Sequence, residues 1–306
     1  MSEETLVKDI VNGVYTSGQL TTALTNLDNK WDFIRALNMP YYARILFDDS
    51  TALALLFAST GAKTLLLASS KALDILASSE VATKSIFSDK TLAKDILTNI
   101  YGYNAYRNNN DNYKRLKRQV NASGSKLKQN TYASSGSNTL SVTGLVAYST
   151  AMIAGGSYVF TSGTAYSGAG AELLAKQEII NLTTTITLVV GAAGHSGVLS
   201  GTDSTISASG LTTVTANGGD AVGGGGGGTT TNNGYLSMSD TNLLAPWQFA
   251  SITSKGGNPL IESGVDIRAG GLGGGFYTEY GKGTALNNEI ADPSTSGIVV
   301  FNYIAD

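Results

Sequence analysis

The chain has 306 residues, of which 42% are hydrophobic and 14% are charged, and its net charge is −3. This length is enough for about two domains. The absence of cysteine excludes disulfides and thiolate metal sites. The N-terminal residues include Glu3 and Glu4 without an apolar stretch, and apolar runs elsewhere are short. The sequence therefore predicts neither a secretory signal nor a transmembrane helix.

Glycine and charge divide the chain into regions of different character. Only 5 of the 37 glycines lie in residues 1–130. Residues 101–130 carry 7 basic side chains and 1 acidic side chain, whereas residues 131–306 carry 4 basic and 11 acidic ones. We therefore predict a helical region over 1–120, a linker over 121–136 and a glycine-rich domain over 137–306, joined through a basic segment.

Residues 3–48 have the apolar spacing and capping residues of short helices. From Ser50 to Thr98 a repeat of about ten residues follows, in which Ala is followed by Leu or Ile pairs and then by Ser. Ten is not a multiple of 3.6, so a straight helix would rotate this apolar stripe away from any one partner. We predict a zigzag of two-turn helices, each capped by the Ser or Thr before it and stabilised by stacking. The alternative is one or two long amphipathic helices with Ser on the exposed face.

The basic segment mixes tyrosines with cationic side chains. Such a mixture can bind nucleic acid, but no nucleic-acid-binding signature surrounds it. We favour a solvated turn and helix that docks on an acidic surface of a partner. The residues predicted to make this attachment are Tyr101, Tyr103, Arg107, Lys114, Arg115 and Arg118.

Residues 137–306 predict an all-β domain, because short alternating runs are separated by Gly and Ser. Many short strands of this kind favour a sandwich. The fold class is therefore α+β, with an N-terminal array of short stacked helices followed by a glycine-rich, sandwich-like domain. The predicted strands cover residues 139–142, 145–148, 158–160, 178–190, 205–208, 211–216, 250–253, 265–268 and 297–304.

The order of the glycine-rich segments resembles a β-domain found in bacteriophage tail-fibre and other virion proteins. It is carried by the segments 167–170, 183–194, 218–228, 271–275 and 297–303. The Ala/Leu/Ser repeat upstream looks like repeats of phage tail and head-fibre proteins. The resemblance implies a structural virion protein, often a homo-oligomer such as a trimer, with the glycine-rich part distal. Residues 232–255 depart from the pattern, so loops that face a receptor cannot be carried over from the family.

No residue pattern predicts catalysis, a metal site or a cofactor. His195 is the single histidine and has no Cys or Glu near it to complete a ligand set. The glycine run 223–228 lacks the Lys-Ser/Thr pair of a phosphate loop. Glu262 and Asp266 are two nearby carboxylates, but a glycosidase needs its carboxylate pair across a cleft, which the sequence does not place. Trp247 and Phe249 are more typical of a hydrophobic core than of a surface that stacks on a sugar. The residues predicted to contact a receptor are Thr229, Asn232, Asn233, Tyr235, Phe276 and Tyr277.

Three functions follow in order of preference. The first is a phage fibre or adhesin, made in the host cytoplasm and attached to other virion proteins through its N-terminal region. Its glycine-rich domain would contact a host-surface glycan or outer-membrane protein. The second is a purely architectural virion protein, such as a tail-tip, head-fibre or adaptor subunit. The third is a glycan depolymerase.

Overall fold

The structure is a computed structural model that describes residues 2–155, 160–161, 164–165, 173–195, 200–211, 213–218, 236–237, 285–287, 290–292 and 296–306. The described chain forms two compact units that meet in sequence between Leu127 and Lys128. The first unit is helical and the second is built on an antiparallel sheet. The predicted α+β organisation is therefore confirmed.

The first unit is an array of short helices that starts close to the N-terminus and ends with the basic segment. Each helix has 7 to 12 residues. The helices are α1 Glu3–Val11, α2 Ser17–Ala23, α3 Leu27–Asn38, α4 Pro40–Phe47, α5 Ser50–Ala58, α6 Thr60–Leu67, α7 Ser70–Ser78, α8 Glu80–Phe87, α9 Lys90–Leu97, α10 Ile100–Arg107 and α11 Asn110–Gln119.

The capping residues explain why no helix in this array is long. From residue 49 onward a cap occurs every ten residues, and its side-chain oxygen accepts hydrogen bonds from amides of the next helix, as N-caps do. The seven caps are Asp49, Ser59, Ser69, Ser79, Asp89, Asn99 and Asn109. The prediction of separate short helices is confirmed and the long-helix alternative is wrong. The caps are Asp and Asn as well as the predicted Ser, and the period runs past Thr98 into the basic segment.

Packing of the array follows the same period. In α5, α7 and α8 the buried positions are the third, fourth, seventh and eighth after the cap, which form one apolar face. A helix packs on the third helix after it, as α4 does on α7, α5 on α8, α7 on α10 and α8 on α11. Three helices therefore make about one turn of a superhelix, and each turn buries the apolar face of the previous one.

Within the described residues, no single helix is long and apolar enough to cross a membrane. Helices α5 and α6 together have the length and apolar composition of a membrane span, but the chain bends by 97° between them. The bend falls at Ser59, which ends α5 and caps α6.

The second unit contains one main sheet with the strand order β1-β11-β2-β5-β6-β7, and a short β8 parallel to β5. Two further pairs, β3 with β4 and β9 with β10, lie off this sheet. The strands are β1 Leu127–Tyr132, β2 Gly136–Ile153, β3 Phe160–Thr161, β4 Thr164–Ala165, β5 Leu173–Val190, β6 Ser204–Ser207, β7 Val214–Ala216, β8 Leu236–Ser237, β9 Ala285–Asn287, β10 Ile290–Asp292 and β11 Ile298–Ile304.

Two sequence predictions for this unit need correction. The predicted strands 139–142 and 145–148 are parts of one strand, β2, whose register with β5 shifts around residues 142–147. Gly144 lies at this irregularity with a positive φ of 60°, which an L side chain rarely adopts. The shift bends the strand without ending it.

The predicted linker 121–136 is also wrong over residues 127–132, which form the edge strand β1 next to β11. Residues 121–126 are a turn that belongs to the helical unit. Lys126 donates its amide to the Phe87 carbonyl at 2.7 Å, which covers the end of α8. The sequence of this segment resembles a linker because turns and edge strands accept the same small and polar residues as linkers do.

The main sheet curls back on itself. β2 and β5 are antiparallel partners of 18 residues each, and such strands would be about 60 Å long if they were straight. Ile153 pairs with Leu173, at the opposite end of β5 from Val190. Gly155 nevertheless donates its amide to the Thr202 carbonyl at 3.0 Å, just beyond the Val190 end. The two ends of the ladder therefore meet.

The core of the sheet unit is centred on β11. Its residues from Ile298 to Phe301 are all fully buried, although successive side chains of a strand point to opposite faces. Phe301 stacks on Tyr148 of β2, with ring centroids 5.3 Å apart. The remaining predicted strands, 250–253, 265–268 and most of 158–160, lie outside the described residues.

Candidate attachment surface

The basic segment does not form a separate element. It supplies α10 and α11, the last two helices of the array. Tyr103 and Tyr106 both point into the core, with 5% and 1% of their surface exposed. Their spacing places them at apolar positions of the repeat, so a mixture of tyrosines and cations here reflects a buried face beside a solvated one.

Tyr106 is held among α8 side chains. Its hydroxyl lies 3.1 Å from that of Thr83, and its ring meets Phe87 edge to face at 5.5 Å. Burial raises the pKa of Tyr106 well above its ordinary value of 10.0. Burial also raises the pKa of Tyr103, although the Arg107 guanidinium, which donates to the Tyr103 hydroxyl at 2.8 Å, opposes this shift.

Two of the predicted attachment cations are paired inside the helical unit. Arg118 donates to the Glu80 carboxylate at 2.6 Å, and Arg115 lies 3.7 Å from the same carboxylate. Arg115 also donates to Asn112 at 2.7 Å. Glu80 stands in the first turn of α8, where the helix dipole also favours a negative charge. The sequence reasoning missed Glu80 because its partners are 35 and 38 residues away.

The predicted attachment residues that remain accessible are fewer than the sequence indicates. Tyr101 is 43% exposed. Lys114 and Arg118 have 58% and 55% of their side chains exposed. Lys114 lies 3.7 Å from Asp111, a surface pair that contributes at most about 1 kcal/mol. These three side chains can therefore still meet a partner.

Exposed apolar side chains occur mainly on the first four helices and the connections between them, which sequence reasoning did not single out. Among the described residues, this group comprises Val14, Leu27, Trp31, Met39, Tyr41 and Ile45. Trp31 is 56% exposed and Tyr41 is 71% exposed. A groove between α1 and α4 is lined by Val7, Val11, Tyr41, Tyr42 and Ile45, with Glu4, Lys8 and Asn12 at its polar side. Large exposed apolar groups of this kind are typical of protein-binding surfaces.

In the second unit, glycine backbones pack directly on neighbouring backbones. A Cβ on Gly155 would overlap the Ala192 carbonyl oxygen, one on Gly191 would overlap that of Thr202, and one on Gly218 would overlap that of Gly201. We call these three glycines and the carbonyls they contact the glycine junction. The Gly297 amide joins it by donating to the Gly191 carbonyl at 2.8 Å. Only glycine allows such close approach.

His195 lies three residues beyond this junction and is exposed. Within the described residues, no group of three or more His, Cys, Asp or Glu side chains is placed to hold a metal ion. The predicted receptor contacts Thr229, Asn232, Asn233, Tyr235, Phe276 and Tyr277 lie outside the described residues, as do Trp247, Phe249, Glu262, Asp266 and the glycine run 223–228.

Comparison of the sequence with protein families and with curated proteins finds no match.

Proposed function

We propose that the protein is a structural virion protein of a bacteriophage, a fibre component without enzymatic activity. The helical unit attaches it to other virion proteins, and the glycine-rich unit contacts the host surface. The observation that carries this proposal is the glycine junction beside the curled sheet. It gives a structural reason for Gly191, Gly218 and Gly297, which belong to the ordered glycine segments that carry the resemblance to virion fibre domains.

We further propose that the glycine-rich unit is a sandwich-like domain. Two observations support this arrangement: the ends of β2 and β5 meet, and β11 is buried on both faces. A strand buried on both faces needs a layer on each side. Glycine-rich loops let backbone amides and carbonyls approach a ligand closely, which suits contact with a glycan or a protein.

The exposed apolar groups of the first four helices support attachment through the N-terminal unit, since Trp and Tyr are enriched at the energetic centres of interfaces. Tyr101, Lys114 and Arg118 extend the proposed attachment surface at the other end of the array. We also propose a homotrimer. Light scattering that gives the mass of a single chain at micromolar concentration would contradict this state.

The test is binding of the fluorescently labelled full chain to a panel of bacterial strains, with phage particles that contain the protein as competitors. Saturable binding that the particles compete away is the expected result. A folded chain that binds no susceptible strain would overturn host contact and favour the architectural function. Release of reducing ends from surface polysaccharide would instead establish a depolymerase.

Attachment is tested separately by incorporation into particles. The double variant Trp31→Ala/Tyr41→Ala should incorporate poorly, because it removes two large exposed apolar groups without disturbing the core. The variant Lys30→Ala, which changes a neighbouring side chain, is the matched control. Equal incorporation of both variants would contradict attachment through the first helices.

A further inference from the structure

Asparagine followed by glycine is a dipeptide at which the main chain can react with its own side chain. The glycine amide nitrogen attacks the side-chain carbonyl carbon of asparagine, and the absence of a Cβ on glycine leaves this nitrogen open to approach. The chain has three such pairs, at positions 12–13, 217–218 and 233–234. The structure describes the first two pairs and places them in different surroundings.

The pair Asn12 and Gly13 ends helix α1. The Gly13 amide donates to the Ile10 carbonyl at 3.1 Å, and the Val14 amide donates to the Asp9 carbonyl at 2.9 Å. Gly13 has a positive φ of 69°, so these bonds form the usual glycine end of a helix. The Gly13 nitrogen therefore faces a main-chain carbonyl, which does not take up a proton at neutral pH, and its attack on Asn12 would break the helix end.

The pair Asn217 and Gly218 directly follows β7. The Asn217 side chain is exposed, whereas Gly218 is buried. The Gly218 amide donates to the Asp203 carboxylate at 2.8 Å. A general base has to lie within hydrogen-bonding reach, about 2.6 to 3.2 Å, of the group whose proton it removes. Asp203 is therefore in place to take the proton from the nitrogen that would attack Asn217.

The fold also fixes the segment that carries Asp203. Thr202, on one side, donates its amide to the Ala192 carbonyl at 3.0 Å. Ser204, on the other side, is fully buried, and its hydroxyl accepts from the Gly191 amide at 2.8 Å. The carboxylate is therefore held beside the Gly218 amide, and little entropy is lost in bringing the base to its proton.

We propose that Asn217 is a site of self-modification, at which it cyclises onto Gly218 with Asp203 as the general base. The Gly218 nitrogen bonds to the side-chain carbon of Asn217, and its proton passes to Asp203. The bond from that carbon to the side-chain nitrogen breaks, and this nitrogen takes the proton from Asp203 and leaves as ammonia. Water then opens the succinimide ring at either carbonyl, which leaves aspartate or isoaspartate at position 217.

The modification acts on the glycine junction. Isoaspartate adds one carbon atom to the main chain just before Gly218, where space is lacking, since a Cβ on Gly218 would lie 2.1 Å from the Gly201 carbonyl oxygen. Both products also add a negative charge beside Asp203, and like charges repel. The sheet unit therefore ages at a position that its own fold activates. This proposal does not depend on the proposed virion function, because it rests on residues of the second unit alone.

The experiment follows both described pairs in the full chain during incubation at neutral pH. Proteolytic digestion and mass spectrometry separate the asparagine, aspartate and isoaspartate forms of each peptide. The same chain unfolded in guanidinium chloride gives the intrinsic rate of each pair. The variant Asp203→Asn keeps a hydrogen-bond acceptor for the Gly218 amide but removes the base. Asn12 is the internal control in every sample, and circular dichroism checks that the variant is folded.

We expect Asn217 to convert about tenfold faster in the folded chain than in the unfolded chain, and Asn12 to convert more slowly when folded. This factor is below the usual contribution of a positioned base because Asp203 is exposed to water. Asp203→Asn should abolish the acceleration at Asn217 and leave Asn12 unchanged. Conversion of Asn217 that is no faster in the folded chain would overturn the proposal, whether or not the variant folds. An acceleration that a folded Asp203→Asn variant retains would also overturn it.

Discussion

Gly102 shows how a neighbouring helix can determine which residue type a position accepts. It stands at the third position after a cap, where α5, α6, α7 and α8 carry alanine. A Cβ at this position would overlap the Ile96 carbonyl oxygen in α9. Glycine is therefore needed here for space and not for an unusual backbone angle.

The change Gly102→Ala should lower the free energy of unfolding of the helical unit by about 2 kcal/mol, because backbone atoms must move to admit the methyl group. Gly18 in α2 is the control, since a Cβ there meets nothing within 4 Å. Gly18→Ala should raise stability by up to about 1 kcal/mol through helix propensity. Denaturation followed by circular dichroism at the helical signal measures both. Equal effects of the two changes would contradict the close contact with Ile96.

Tyr106 gives the helical unit a predictable response to alkaline pH. Its pKa is raised in the folded state, so the unfolded chain ionises first as the pH rises through 10.0. The folded state then holds more protons, and stability decreases with rising pH. We expect Tyr106→Phe to reduce this decrease as the pH rises through 10.0, where the unfolded tyrosine ionises and the folded one does not, measured as the free energy of unfolding in urea. A variant with the same pH slope as the parent chain would show that other groups cause the response.

At the level of elements, some caps do more than start their own helix. Ser79 accepts from the Ala82 amide at 3.0 Å and donates to the Asp48 carboxylate at 2.6 Å, at the end of α4. Asn99 similarly caps α10 and donates to the Leu67 carbonyl at 3.1 Å, at the end of α6. These caps therefore join a helix to the end of the fourth helix before it.

The change Ser79→Ala should cost about 2 to 3 kcal/mol, because it removes a cap and a buried bond between turns. Asp89 is the matched control: it accepts from Thr91 and Leu92, and it is exposed. Asp89→Ala should cost about 1 kcal/mol, the usual value for an N-cap. Thermal unfolding compares them. The double variant Ser79→Ala/Asp48→Ala should be less destabilised than the sum of the single variants, and strict additivity would contradict the link between turns.

At the level of the whole molecule, the boundary between the two units determines which C-terminal fragments contain every strand of the main sheet. The units meet in sequence at 127–128, and β1 begins at Leu127. Gln129 of β1 donates its side-chain amide to Asn302 of β11 at 2.7 Å, inside the sheet unit. A fragment that begins at the predicted boundary, residue 137, therefore loses an edge strand.

We expect the fragment 127–306 to be more stable than the fragment 137–306. Removal of β1 exposes the edge of β11, and the side-chain oxygen of Asn302 loses the hydrogen bond that it accepts from Gln129. Urea denaturation followed by tyrosine fluorescence compares the two. The variant Gln129→Ala in the longer fragment separates loss of this side-chain bond from loss of the strand. Equal stability of the two fragments would contradict a structural role for β1.

The sequence by itself determined the short helices, because an N-cap and the apolar positions after it act within ten residues. It also indicated β5, β6 and β11, whose alternation or apolar runs are local signals. Tertiary structure alone decided which polar groups pair with one another: Glu80 pairs with Arg115 and Arg118, and Ser79 with Asp48, each across more than 30 residues. The curl of the sheet and the glycine junction were also beyond local reasoning, since composition records the glycines but not the backbones that approach them.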